Sequence, residues 1–147
     1  MTAVPGDAAP DFSLPDQHGR LTSLAEAQGP TLLVFFPAAF TSTCTAELAD
    51  LRDSPPAGAT VLAISCDSMF ALRAFAEAEG FPFPLLSDFW PHGAVSEAYG
   101  AFIPERGIAG RVSVLVDAAG VVRERWESSP TQARDAADYA RAVADLG

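Results

Sequence analysis

Lysine is absent from this chain. All nine basic residues are arginine, set against 19 acidic ones in 147 residues, so the formal net charge is −10. That balance argues against nucleic acid or an anionic membrane as the main partner, because phosphate binding relies on clustered Lys and Arg. Any positive charge at a site must be guanidinium. Cysteine is also scarce: Cys44 and Cys66 are too few for a disulfide scaffold and lack zinc-site spacing. No apolar stretch approaches the ~20 residues a bilayer crossing needs. The start, Met-Thr-Ala-Val-Pro-Gly-Asp, has no basic stretch followed by an apolar run, so no signal peptide is expected. Repeats, low-complexity blocks and linkers are missing as well. The expectation is a single cytoplasmic domain over residues 1–147, with its thiols reduced at rest. What the chain does have is apolar mass, 49% of its residues. A chain of this length buries about 68–70% of its unfolded surface, enough for a core without metal or disulfide staples.

Residues 1–10 read as an irregular leader. Asp11 to Leu14 fits a short edge strand, Pro15 to Gly19 a turn, and Ser23 to Ala27 one helical turn. Thr31-Leu32-Leu33-Val34-Phe35-Phe36 and Val61-Leu62-Ala63-Ile64-Ser65 are continuously apolar rather than alternating, the pattern of strands covered on both faces. Between them a helix is predicted from Thr41 to Arg52, with Cys44, Glu47, Leu48 and Leu51 along one stripe. Asp67 or Ser68 can cap a second helix, Met69 to Glu79, which Gly80 stops. Leu85-Leu86 is a short strand, and Ala94 to Tyr99 a short helix. Arg111 to Asp117 and Val121 to Trp126 form a hairpin around Ala118-Ala119-Gly120. A terminal helix is predicted from Thr131, with Ala136, Tyr139, Ala140 and Val143 on one side. Parallel strands first and an antiparallel hairpin plus helix last give an α/β protein: a mixed central sheet with helices on both faces, in thioredoxin-like order.

The chemistry concentrates in Pro37-Ala38-Ala39-Phe40-Thr41-Ser42-Thr43-Cys44. It places a cysteine in the first turn of a helix that leaves the C-terminal end of a buried strand, where open α/β sheets bind their ligands. Free backbone N–H groups and the positive end of the helix dipole stabilise an anion there, which favours the thiolate, the nucleophilic form. The alternative is a small buried hydrophobe, the common fate of a free cysteine.

The spacing Pro37-x-x-x-Thr41-x-x-Cys44 resembles the active-site signature of the peroxiredoxins, thiol peroxidases on a thioredoxin fold. Ala9-Pro10-Asp11-Phe12 is similar to their leader, and Ser65-Cys66-Asp67-Ser68 to the motif after the second core strand. The stretch from Leu85 to Val95, with Trp90-Pro91-His92 inside it, resembles the AhpE-type one-cysteine branch of actinobacteria.

The resemblance implies that Cys44 is the peroxidatic nucleophile and that Thr41 is a hydroxyl partner of peroxide and thiolate. It further implies that Pro37 shields the pocket and that Arg111 is the active-site guanidinium. The residues support these roles. Thr41 lies three positions before Cys44, so both can face one pocket, although a plain N-cap is its simpler role. Pro37 cannot continue a strand ladder and could serve only as its stop. Arg111 opens an otherwise apolar strand, where its charge is conspicuous, and an arginine fork presents several donors in fixed geometry. Glu47, one turn after Cys44, could orient that guanidinium or be an ordinary solvent-facing carboxylate.

The implied reaction is attack of the Cys44 thiolate on hydrogen peroxide, an organic hydroperoxide or peroxynitrite. It leaves a sulfenic acid that an external thiol reduces, with no metal or organic cofactor. Position 49, where some relatives carry a resolving cysteine, is Ala49, and Cys66 reads as packing at a strand end. A one-cysteine cycle follows. The alanine- and arginine-rich, lysine-free composition fits a GC-rich genome such as that of the actinobacteria, and with the AhpE-type resemblance this implies mycothiol with a mycoredoxin, or else thioredoxin, as the reductant. The Trp90-Pro91-His92 loop resembles surface used for dimer contacts in the family, and that resemblance implies a homodimer. Phe36, Phe40, Phe89 and Trp90 read as core or interface aromatics, Phe70 and Trp126 as core, and His18 and His92 as surface or loop residues. Two rival functions are a dithiol oxidoreductase, which the missing Cys-x-x-Cys disfavours, and a non-enzymatic peroxide sensor or holdase on the same scaffold.

Overall fold

The computed structural model describes residues 3–129 and 134–146. Within them the chain runs through the strands β1 (Ser13–Pro15), β2 (Leu21–Ser23) and β3 (Thr31–Phe35), then helix α1 (Ser42–Asp53). Strand β4 (Thr60–Ser65), helix α2 (Met69–Glu79), strand β5 (Leu85–Ser87) and helix α3 (Ala94–Ala98) follow. The strands β6 (Phe102–Ile103), β7 (Ile108–Ala109), β8 (Arg111–Val116) and β9 (Val122–Ser128) precede helix α4 (Ala136–Asp145). The central sheet has the order β5-β4-β3-β8-β9. Its β3–β4 and β4–β5 pairs are parallel, and its β3–β8 and β8–β9 pairs antiparallel. This is the mixed, doubly covered sheet that the apolar runs predict.

Strand periodicity sorts the core into two layers. Leu32, Val34 and Phe36 point to one face, where Leu48 and Leu51 of α1, Leu72 and Phe75 of α2 and Tyr139 and Val143 of α4 pack on them. Leu33 and Phe35 point to the other, against Phe12, Leu14, Tyr99 and Ala101. Because side chains alternate along a strand, β8 divides in the same way. Leu115 belongs to the α1 face, and Val112, Val114 and Val116 to the opposite one. Arg111 and Ser113 share the parity of Leu115 and therefore point under α1.

The second helix matches its sequence signals. Ser68 accepts a hydrogen bond from the Ala71 N–H, and Gly80 closes the helix in the left-handed region at φ +66°. Three expectations are corrected. Ser23 belongs to a strand, Leu21–Ser23, that pairs antiparallel with Ser13–Pro15, and the turn expected over Ser23 to Ala27 is reduced to a single hydrogen-bonded turn, Ala27 N–H to Leu24 O at 3.0 Å. The Asp16 carboxylate accepts the His18 and Arg20 N–H groups and closes that hairpin. Phe70 lies off the Leu72–Phe75–Ala76 stripe of α2 and is 73% exposed rather than core. Of the aromatics read as core or interface, Phe36 is fully buried in the core, while Phe40, Phe89 and Trp90 are exposed, which leaves the interface alternative for those three. In α4 the inward residues are Tyr139 and Val143, flanked by Ala136 and Ala142, while Ala140 is exposed. The described part of that helix begins at Ala136, with the Asp135 side chain capping the Ala137 N–H; Thr131 lies outside the described residues. The β6–β7 hairpin, two residues per strand, is too short to show a period and has no counterpart in the sequence reading.

Candidate active site

After β3 the chain makes one more ladder bond, Phe36 N–H to Ile64 O at 2.9 Å, and then meets Pro37, which cannot extend it. Four residues later α1 begins. Thr41 is its N-cap residue in extended conformation, but its side chain caps nothing. The hydroxyl donates instead to Ala38 O at 3.1 Å, so the plain N-cap role is excluded and the turn is tied to itself. Cys44 is the third helical residue, with no exposed surface. Cys44, Glu47, Leu48 and Leu51 are the buried residues of α1, the same stripe the sequence spacing defines.

The β3–β8 register, with Phe35 opposite Val112, puts Arg111 beside the end of β3 and hence beside the start of α1. Its Nη2 donates to Cys44 Sγ at 3.4 Å. Its Nη1 is bonded to Glu47 Oε1. Arg111 is 4% exposed and Glu47 likewise 4%, so Glu47 is a buried anchor of the guanidinium and not a solvent-facing carboxylate. A buried carboxylate needs donors on both oxygens, and a residue absent from the sequence reading supplies them. Arg134 gives Glu47 Oε2 its backbone N–H (2.6 Å) and Nε (2.9 Å), and Oε1 its Nη2 (3.1 Å). Its Nη1 reaches Ser113 Oγ at 2.9 Å, and that hydroxyl shares a 2.7 Å bond with Tyr139. Burial, the largest influence, pushes the Tyr139 phenol up from its ordinary range, although Arg134 opposes it. An arginine in a polar stretch gives no sign of burial. The usable signal was a carboxylate on an apolar helix stripe, which demands more donors than one arginine provides.

Pro37, Thr41, Ser42, Thr43 and Arg111 line a cleft of about 160 Å³. Ile103, Arg106, Ile108 and Gly110, on and beside the β6–β7 hairpin, form its opposite wall. Cys44 lies behind the cleft, and Arg111 borders both. All five predicted site residues therefore meet at one end of the sheet. Cys66 does not join them. It follows β4 on the other face of the sheet, buried among Phe35, Ile64 and Leu86, with Ser96 Oγ 3.9 Å from its sulfur. Burial, aided by the Asp88 carboxylate, pushes its thiol up to about 11. With the sheet between them, Cys44 and Cys66 are both free thiols. His92 is an exposed loop residue whose ring nitrogens contact Phe89 O and Gly107 O, and His18 is exposed in the first hairpin. Among the described residues no three His, Cys, Asp or Glu side chains gather as a metal site.

A cysteine in the first turn of a helix, set against a guanidinium at the end of a thioredoxin-like sheet, defines a class of thiol-reactive oxidoreductases. Comparison with known proteins narrows it. The chain belongs to the AhpC/TSA family, whose model matches residues 5–125. It is 45% identical over 147 residues to alkyl hydroperoxide reductase E of Mycobacterium tuberculosis, covering 96% of each chain. It is 39% identical over 138 residues to peroxiredoxin Bcp of Escherichia coli, covering 86% of each. Among solved structures, the peroxidoxin BcpB of Mycobacterium tuberculosis superimposes with a TM-score of 0.82 at 30% identity, over 98% of this chain and 96% of that one. The AhpC of Enterococcus faecalis reaches 0.89 at 22% identity, over 99% and 93%, a likeness of fold.

Proposed function

We propose that this peroxiredoxin is a thiol-dependent peroxidase working as one unit over residues 1–147, with Cys44 as its peroxidatic nucleophile. The observation that carries the reading is the Arg111 Nη2 to Cys44 Sγ contact at 3.4 Å, inside the first turn of α1. Arg111 and Arg134 bring two buried positive charges and Glu47 brings one negative charge. The guanidinium of Arg111 bridges the Glu47 carboxylate and the Cys44 sulfur.

In the reaction the Cys44 sulfur attacks one peroxide oxygen in line with the O–O bond. An S–O bond forms as the O–O bond breaks. The second oxygen takes a proton and leaves as water or an alcohol, or leaves as nitrite when the substrate is peroxynitrite, and Cys44 is left as a sulfenic acid. Arg111, Thr41 and the free N–H groups at the start of α1 hold the two oxygens and stabilise charge on the departing one. Pro37 closes one side of the cleft. Glu47 and Arg134 do not touch the oxygens; they fix the plane of the Arg111 fork. With the second thiol across the sheet, reduction of the sulfenic acid falls to an external thiol, such as mycothiol with a mycoredoxin, or thioredoxin. Steady-state assays with each reductant choose between them. The substrates are hydrogen peroxide, organic hydroperoxides or peroxynitrite, met in the cytoplasm by a homodimer whose contact includes the exposed Phe89 and Trp90.

Replacing Cys44 by Ser tests the assignment. The expected outcome is loss of peroxide consumption with any reductant, and retained turnover would discard it. Mass spectrometry after one equivalent of peroxide tests the one-cysteine cycle. Cys44 sulfenic acid is expected, and a Cys44–Cys66 disulfide as the main product would refute it.

A further inference from the structure

The turn that delivers the chain from β3 to α1 carries the single non-glycine residue with positive φ among those described: Phe40, at φ +68°. A bulky side chain in the left-handed region is strained, and such strain persists only where the surroundings over-determine it. Three ties do so here. The Phe40 ring packs on Phe75 with centroids 5.1 Å apart. Thr41 Oγ1 closes the turn on Ala38 O at 3.1 Å. The third comes from outside the segment: the Ala39 N–H donates to Asp67 Oδ2 at 2.9 Å.

Asp67 lies two residues past β4 and is itself held. Ser65 Oγ donates to the same Oδ2 at 2.7 Å. The Asp67 N–H returns a bond to Ser65 Oγ, and the Asp67 carbonyl accepts the Ser87 hydroxyl at 2.6 Å. A carboxylate acceptor fixed by two neighbouring strands thus grips the middle of the strained turn. Beyond the strained residue stands Thr41, and before it Pro37, both on the cleft wall.

We propose that Asp67 is a positioning residue of the peroxidase reaction. It holds the Pro37–Thr41 turn in its strained form, so that Pro37 and Thr41 face the peroxide oxygens from the cleft wall. The proposal rests on Cys44 being the nucleophile. It also separates two parts of the site. The sulfur's own surroundings are set by the first turn of α1, by Leu48 and Leu51 and by Arg111 on β8, whereas the Asp67 carboxylate accepts from Ala39 and Ser65. Asp67 serves the oxygen side alone.

The test compares Asp67→Ala and Asp67→Asn with the unchanged chain, each well below its own melting midpoint. One readout is the rate of Cys44 oxidation by hydrogen peroxide. The other is the pH profile of Cys44 alkylation by iodoacetamide, followed by peptide mass spectrometry. The expected result for Asp67→Ala is a fall in peroxide rate of about tenfold to a hundredfold with the alkylation profile unmoved. Asp67→Asn keeps an acceptor oxygen and should return to within about threefold of the starting rate. A folded Asp67→Ala protein that reacts within about twofold of the unchanged chain overturns the proposal. So does a joint fall of peroxide and alkylation rates, which means general loosening. If Asp67→Ala does not fold, Ser65→Ala decides, because it removes the donor that orients the carboxylate. A loss of about threefold or more, confined to the peroxide rate, supports the proposal, and an unchanged rate overturns it. Turnover surviving in Cys44→Ser sinks the nucleophile assignment itself, a result that the Asp67 variants cannot imitate.

Discussion

Glu47 shows how much one buried side chain can organise. Both of its oxygens accept two donors, drawn from β8 and from the residue before the α4 cap. Replacing it by Gln keeps the shape but leaves two guanidinium groups in the core without their carboxylate. Breaking a buried pair in this way costs about 3 kcal/mol, read as a lower midpoint in urea. It should also slow Cys44 oxidation by about a hundredfold, because the Arg111 fork is no longer held in plane. Cys66 makes a different prediction. Its thiol, pushed up to about 11 by burial, stays protonated in the folded chain at pH values where the unfolded thiol, near about 8.5, has ionised. The unfolded state then binds fewer protons, so this contribution to stability is full below about pH 8.5 and is lost as pH rises toward 11. The loss amounts to about 3 kcal/mol over that window. Urea titrations at several alkaline pH values should show the extra slope in the unchanged chain and not in Cys66→Ala.

Elements start and stop where backbone chemistry says they should, and two of these places can be tested. Gly93 sits at φ +73° as the N-cap of α3, and a Cβ there would overlap the Phe102 ring. Gly93→Ala combines a left-handed penalty with a clash between α3 and β6. It should destabilise by about 2–4 kcal/mol in thermal melts. At the start of α2 the Ser68 hydroxyl satisfies the Ala71 N–H. Its loss in Ser68→Ala costs about 1 kcal/mol without moving the peroxide rate. The elements most legible in the sequence were those with two agreeing signals. Apolar run and length gave β3, β4 and β8, and cap plus stop gave α2. The first hairpin was misread because Leu21 to Ser23 has no strong period, and its pairing depends on an aspartate side chain that bonds two backbone groups across the turn.

At the scale of the molecule, the apolar exposed surface is concentrated on a few side chains. Phe70, Phe89 and Trp90 line one shallow depression with Pro15 and Met69, and Trp90 is 81% exposed. Large aromatics left in water next to one another mark an association surface. Analytical ultracentrifugation at micromolar concentration should show a dimer, and Trp90→Glu should shift it to monomer. A chain that sediments as monomer throughout would remove the homodimer.

The sequence alone determined the layered α/β architecture, since continuously apolar strands require cover on both faces of their sheet. It also placed Cys44 in the first turn of a helix after a buried strand, the position at which the family resemblance implies a nucleophile. Tertiary structure decided everything that depends on which side chains meet. Strand register turned Arg111 toward the sulfur, burial made Glu47 the meeting point of two arginines, and the sheet kept Cys66 on its far side. Arg134 and Asp67 acquire their roles only through partners 87 and 28 positions away, a separation at which local pattern carries no information about contact.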